Sequence, residues 1–315
     1  SQHRLKIYNQ WMPHVHVDYH EQGYNSPYYF APAAEPFHEV ITPWQRDFQT
    51  QIGKNNAKYF DQEGWFYFTK EHFDLYYPSY GDTYPTYSGS IGMTYEKGGI
   101  GSGLIVTTRE GDPMTLKDRL MHHFTTAMAT LEISSMNAAR LTEEFEKYFR
   151  DVNAANGLSY KTYVIKATNS PDKIRKITQW MDAHQIRYGH TSAPKTLRGF
   201  DYQTQQSGNA VITSDDIIIP VGQPKGKFIT TVFEPQSKLA DSLTYDITAW
   251  NLMYAHDLKA FALPEKLLAD KPYGPRQMTT PAVAPNTYAY FLRYQSVLDA
   301  EYLGALLQKG IKVRV

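Results

Sequence analysis

The stretch Pro13 to Gly23, PHVHVDYHEQG, constrains the fold of this chain more tightly than any other. Residues 14–19 alternate between histidine or aspartate and valine or tyrosine, which is the period of a β-strand and not of a helix. The strand is expected to end where Gly23, Asn25 and Pro27 gather. Three histidines and two carboxylates in so short a run raise the question of a metal site. The step from His16 to His20 would suit a metal on a helix, whereas on a strand the two side chains share a face but lie far apart along it. A two-histidine site is therefore not expected, and His14 and His16 read as ordinary strand residues.

Further along, Thr42 as cap and Pro43 at the first helical position predict a helix over 43–58. An irregular aromatic region from Trp65 to Tyr87 follows, then a strand at Ile91–Tyr95 and a hairpin arm at Leu104–Thr108 with its turn at Glu110, Gly111 and Asp112. Thr115 to Asp118 fits a capping box. Apolar residues Leu116, Leu120, Phe124, Met128, Leu131, Leu141, Phe145 and Phe149 then keep a helical period to about residue 151. The small, polar run Asp151 to Gly157 marks a boundary, giving domains 1–155 and 156–315. In the second domain a strand at Tyr160–Ala167, a helix from Ser170 through His184 and a strand at Ile186–Tyr188 repeat near the C-terminus. There the same order is a strand at Tyr288–Tyr294, a helix at Val297–Lys309 and a strand at Ile311–Val315. Two such β-α-β units predict an α/β sheet of parallel character, to which Asp216–Pro220 and Phe228–Phe233 add strands. The uncovered last strand leads us to expect a longer parent protein.

Composition removes several function classes. Lysine plus arginine (32) balance aspartate plus glutamate (32), and the basic residues are scattered, so nucleic acid is not an expected partner. With no cysteine, disulfides, thiolate zinc sites and cysteine nucleophiles are excluded. No apolar run approaches the roughly 18 residues of a membrane span. None of the 11 histidines has a glutamate three residues on, so neither His-Glu-x-x-His nor His-x-x-Glu occurs and no complete zinc site is legible. Gly98 to Gly103 lacks the lysine of a phosphate loop and precedes a hairpin, so it reads as a turn. His122 and His123 read as a helix-face pair, and the tyrosine runs as core.

The segments VDYHEQGYNSPYYFAP and YPTYSGSIGMTYE resemble the second half of the catalytic domain of zinc carboxypeptidases of the carboxypeptidase A type. The resemblance implies His20 as the third zinc ligand, at the end of its strand. It implies Tyr84, six residues before Ser90, as a mobile tyrosine that hydrogen-bonds the substrate's terminal carboxylate or amide when a loop closes. It implies Glu96 as the group that activates the zinc-bound water and passes the proton to the leaving amine, and the helix 115–151 as the family's last helix. The family's His-x-x-Glu pair and its substrate-gripping arginines belong upstream of the His20 strand. Nothing of them is present, so zinc is expected in the parent protein while this polypeptide alone is expected to be metal-free and inactive. The second domain, through Gln223–Phe228, Val232–Pro235 and Leu243–Trp250, resembles the class I glutamine amidotransferase-like domain that follows the peptidase domain in some bacterial secreted carboxypeptidases. Without a cysteine nucleophile amidotransfer is excluded, leaving a structural or substrate-presenting role.

The expectation is thus a two-domain α/β protein, a partial carboxypeptidase-like mixed sheet followed by a parallel α/β domain, that removes residues from the C-terminal end of peptides in the periplasm or outside the cell. A non-catalytic peptide- or glycan-binding module is the rival reading, and an exposed sheet edge makes a homodimer a candidate assembly. All of it requires His20 and Glu96 to meet at neighbouring strand ends.

Overall fold

The computed structural model describes residues 2–238, 250–274, 285, 287–292 and 294–314. The chain is a mixed α/β protein in two compact units, one formed by residues 1–159 with 221–251 and the other by 160–220 with 252–315. The first cut falls close to the boundary read at 155. The second domain read as continuous over 156–315 is not so, because 221–251 groups with the first unit.

The first unit opens with α1 (Gln2–Trp11), β1 (Val15–Gly23), β2 (Tyr28–Tyr29), α2 (Pro43–Glu63), β3 (Tyr67–Phe68), α3 (Thr83–Thr86) and β4 (Ile91–Gly99). The small hairpin β5 (Val106–Thr107) and β6 (Pro113–Met114) leads into α4 (Leu116–Met136) and α5 (Ala138–Ala154). The sheet order is β1-β4-β2-β3, with β1 and β4 parallel and β2 antiparallel to β4. Helix α2 starts at a Thr42/Gln45 capping box and stops at Gly64, whose φ of 70° only glycine adopts freely. It runs past residue 58 because nothing breaks the helix before that glycine. Phe48, Ile52 and Phe60 on one face of α2 pack with Tyr28, Phe30, Ile91, Met93 and Tyr95 to form the core. Each such ring or aliphatic side chain stabilises by about 1.5–3 kcal/mol on burial.

The long helix read over 115–151 is two helices, parted at Asn137, whose side chain folds back to donate to the Ile133 carbonyl. The apolar stripe read as its core face is exposed on α4: Leu116, Leu120, Phe124, Met128 and Leu131 all face solvent. The inward face carries Thr126, Thr130 and His123 because it packs on tyrosines, whose buried hydroxyls need partners. Tyr28 meets His123 Nδ1 at 2.7 Å and Thr126 at 2.9 Å, and Tyr95 meets Thr130 at 2.7 Å. Periodicity identified which residues share a face, not which face turns inward.

The second unit comprises β7 (Thr162–Ile165), α6 (Pro171–Ala183), β8 (Gly189–His190), β9 (Lys195–Asp201), β10 (Gln206–Ile212) and β11 (Ile217–Pro220). Between β11 and the rest, α7 (Gly226–Phe233) belongs to the first unit, and the second resumes with α8 (Leu252–Ala255), β12 (Ala260–Leu263), β13 (Lys271–Pro272) and α9 (Val297–Gln308). Its sheet has the order β10-β9-β12-β7-β11-β8-β13, and every described ladder in it is antiparallel. The parallel sheet expected here is therefore corrected. The first β-α-β unit exists but is split: β11 inserts between β7 and β8 and runs antiparallel to both. Residues 228–233, read as a strand, are helical in α7, a short run of aromatic and β-branched residues whose pattern could not decide between the two. The described residues of 288–294 and 311–314, read as strands, have no ladder partners and are exposed. Of the distinctive run Leu243–Trp250, only Trp250 lies among the described residues. Among those residues no helix is long and apolar enough to cross a membrane.

Candidate functional site

The alternation of β1 sorts its side chains onto two faces. Val15 and Val17, with Ile91 and Met93 from β4, pack on the core. His16, Asp18 and His20 fall on the opposite face, in register with Gly92, Thr94 and Glu96. Two glycines bring a second layer onto this face. A Cβ on Gly92 would lie 2.0 Å from the Asp82 carbonyl, and one on Gly81 would lie 1.7 Å from Asp18 Oδ2. Only with both positions bare can the segment 81–86 rest directly on the strands and deliver Asp82 to Thr94.

His20 and Glu96 are register partners, and their side chains approach to 3.7 Å between Nδ1 and Oε1. The other imidazole nitrogen, Nε2, lies 3.2 Å from Asp18 Oδ2. An aspartate two residues before the histidine thus holds the ring from one side while Glu96 faces it from the other. The His20 side chain is 55% exposed and that of Glu96 only 10%, so a solvent-reachable imidazole stands over a carboxylate sunk in the sheet. Glu96 Oε2 is buried and has no hydrogen-bond partner among the described residues.

Burial pushes the Glu96 carboxyl above the usual carboxylate range; the His20 imidazole opposes this, and the Asp18 and Asp82 carboxylates add to it. Burial likewise pushes Asp82 up to about 6, against a hydrogen bond from Thr94. A carboxyl raised in this direction holds its proton more readily than an exposed one, a shift that favours general acid–base work.

Tyr84 lies in a different cluster. Its hydroxyl donates to Asn9 Oδ1 at 3.2 Å and accepts from Lys225 Nζ at 3.2 Å, and burial pushes it up to about 12. Tyr8, whose ring is 5.5 Å from that of Tyr84, bonds Ser90 just ahead of β4. Four residues of strand, about 13 Å, separate Gly92 at that end from Glu96. His16 contacts Tyr8 edge-on at 5.7 Å, and His14 stacks on Phe145 at 4.2 Å. On α4, His123 meets Tyr28, and His122 lies against Trp65 at 4.1 Å.

Asp18 and Asp82 were not singled out in the sequence. Asp18 was detectable, being two residues from His20 on a strand and so on its face. Asp82 carries no local signal, since only the packing of 81–86 on Gly92 brings it there.

A zinc ion implied by the carboxypeptidase resemblance would need three protein donors. His20 offers one imidazole oriented by Asp18, but among the described residues no three histidine, aspartate or glutamate side chains are arranged to hold a metal ion. The described donor set therefore does not fit a zinc centre by itself. No family model matches the sequence, and no curated protein or solved structure matches it either.

Proposed function

We propose that the first unit carries the proton-transfer part of a hydrolytic centre of the metallocarboxypeptidase kind, acting on the C-terminal end of peptides. The observation that supports this most is the pairing of His20 with Glu96 across parallel strands, with Glu96 Oε2 buried and unpartnered. Glu96, in this reading, takes a proton from an attacking water and returns it to the leaving amine. His20 steadies the carboxylate electrostatically, and Asp18 fixes the ring. Were zinc bound here, His20 would be the donor that the first unit contributes, and among the described residues no further donors are grouped with it to hold a metal ion.

The test is cleavage, by the native protein with and without added zinc, of peptides with a free C-terminal carboxylate against their amidated forms. Glu96→Gln is expected to lower the rate by about 10²–10⁴-fold. His20→Ala is expected to abolish any dependence on zinc. Equal rates for the wild type and Glu96→Gln would remove Glu96 from the chemistry, and absence of zinc-stimulated cleavage would remove the carboxypeptidase reading. We further infer a homodimer through the outer edge of β1, which pairs on one side with β4. Light scattering that finds monomer alone would dismiss it.

A further inference from the structure

A second polar cluster in the first unit has no part in the chemistry above. Lys225, which immediately precedes α7, is only 3% exposed. Its Nζ lies 3.0 Å from Ser88 Oγ and 3.2 Å from the Tyr84 hydroxyl. The Tyr84 and Tyr8 rings are 4.8 and 5.7 Å away, and Met12 Sδ is at 3.9 Å. All of these neighbours are uncharged, and Lys225 takes part in none of the ion pairs among the described residues. Burial accordingly brings the amine down to about 7 from 10.5. Tyr8 from α1 and Tyr84 from α3, the titratable groups that face it, are both raised by burial and stay protonated near neutrality.

One buried donor in these surroundings lacks an acceptor. Asn9 accepts from Tyr84 through Oδ1, yet its buried Nδ2 has no hydrogen-bond partner among the described residues. The Ser88 hydroxyl accepts from the amine and is itself hydrogen-bonded to Tyr84. A half-satisfied polar network of this kind is costly in a protein interior unless something completes it. The missing partner must accept a hydrogen bond and must be small, because Asn9 and Lys225 are both buried.

We propose that Lys225 is a carbamylation site, its amine adding carbon dioxide to form an N-carboxylysine whose carboxylate accepts from Asn9 Nδ2. The nitrogen lone pair bonds to the carbon, one C=O electron pair moves onto oxygen, and the nitrogen releases one proton to solvent. No oxidant or other co-reactant is needed. An exposed lysine, charged at neutral pH, lacks the lone pair for this step.

The experiment equilibrates the intact protein with ¹³C-bicarbonate, follows the carbamate carbon by NMR, and traps it as an ester with a trialkyloxonium salt before peptide mapping. The expected result is a trapped adduct on Lys225 well above any on exposed lysines. Asn9→Asp sets a carboxylate beside the amine and keeps it protonated, so labelling should fall about tenfold for each unit by which the amine's pKa recovers. Lys225→Arg should show none. A wild-type protein that carries no label at Lys225 overturns the proposal, as does a folded Asn9→Asp variant labelled like the wild type. If Asn9→Asp does not fold, by circular dichroism, Asn9→Leu, which removes the donor, serves instead, with an undiminished label again counting against the site.

Discussion

Replacing Lys225 with methionine is expected to stabilise the first unit at neutral pH and to lose that advantage as the solution is made alkaline. Burial takes the amine from 10.5 to about 7, a gap of about 3.5, which at about 1.36 kcal/mol each bounds the destabilisation at about 5 kcal/mol. Methionine keeps the unbranched shape but forfeits the hydrogen bonds to Ser88 and Tyr84, at about 1 kcal/mol apiece. A net gain of about 2–3 kcal/mol should remain below pH 7. The sign follows from proton binding. Between pH 7 and 10.5 the unfolded lysine holds a proton that the folded one does not, so the wild type gains stability through that window. Above it the penalty is gone and the wild type, with its two hydrogen bonds, becomes the more stable protein. Urea unfolding of both proteins from pH 6 to 11, followed by circular dichroism, measures the difference. A gap that stays constant across that range would refute the reasoning, because it would mean that the buried amine does not change its protonation on folding.

Other perturbations separate further parts of the argument. Gly92→Ala drives a methyl to within 2.0 Å of the Asp82 carbonyl and should cost about 3 kcal/mol in the same unfolding assay; a neutral effect would show that 81–86 does not lie on β4. Thr115→Ala removes the cap that accepts from the Asp118 amide and should lower stability by about 1 kcal/mol. Arg119→Met breaks the bonds of a buried guanidinium to Glu21 and to the Ile100 and Ser102 carbonyls. It should cost about 3 kcal/mol and speed amide exchange over 98–103. His122 is held down to about 4 by burial, so the folded state loses stability as the pH drops from 6.5 towards 4. His122→Phe, which keeps the stack on Trp65, should flatten that acid limb, and an unchanged limb would place its origin elsewhere.

What could be read from the sequence was local. The alternation in β1, the caps of α2 and α4, the 106–114 hairpin and the helices at 171 and 297 are written in side-chain periods and turn residues within a few positions of one another. What could not be read was decided at a distance. The stripe from Leu116 to Leu131 has a helical period whichever way it faces, and the hydroxyls of Tyr28 and Tyr95 settled which face turned inward. A strand–helix–strand order does not say whether another strand will lodge between its ends, as β11 does. His20 and Glu96, expected to meet at neighbouring strand ends, do lie in register across β1 and β4. The diversion of Tyr84 to Lys225 depends on a residue 141 positions away, which no spacing rule reaches.

Val15, Val17, Ile91 and Met93 reach beyond stability, because the apolar and the polar sides of β1 and β4 belong to the same backbones. Sliding one strand past the other by a single residue would turn Val17 into water and the His20 ring into oil at the same moment. The spacing of imidazole and carboxylate is therefore policed from behind, by greasy side chains that never touch either group. Conservative changes in that hidden layer, rather than in the charged one, are where a designer could tune the gap between them by fractions of an ångström.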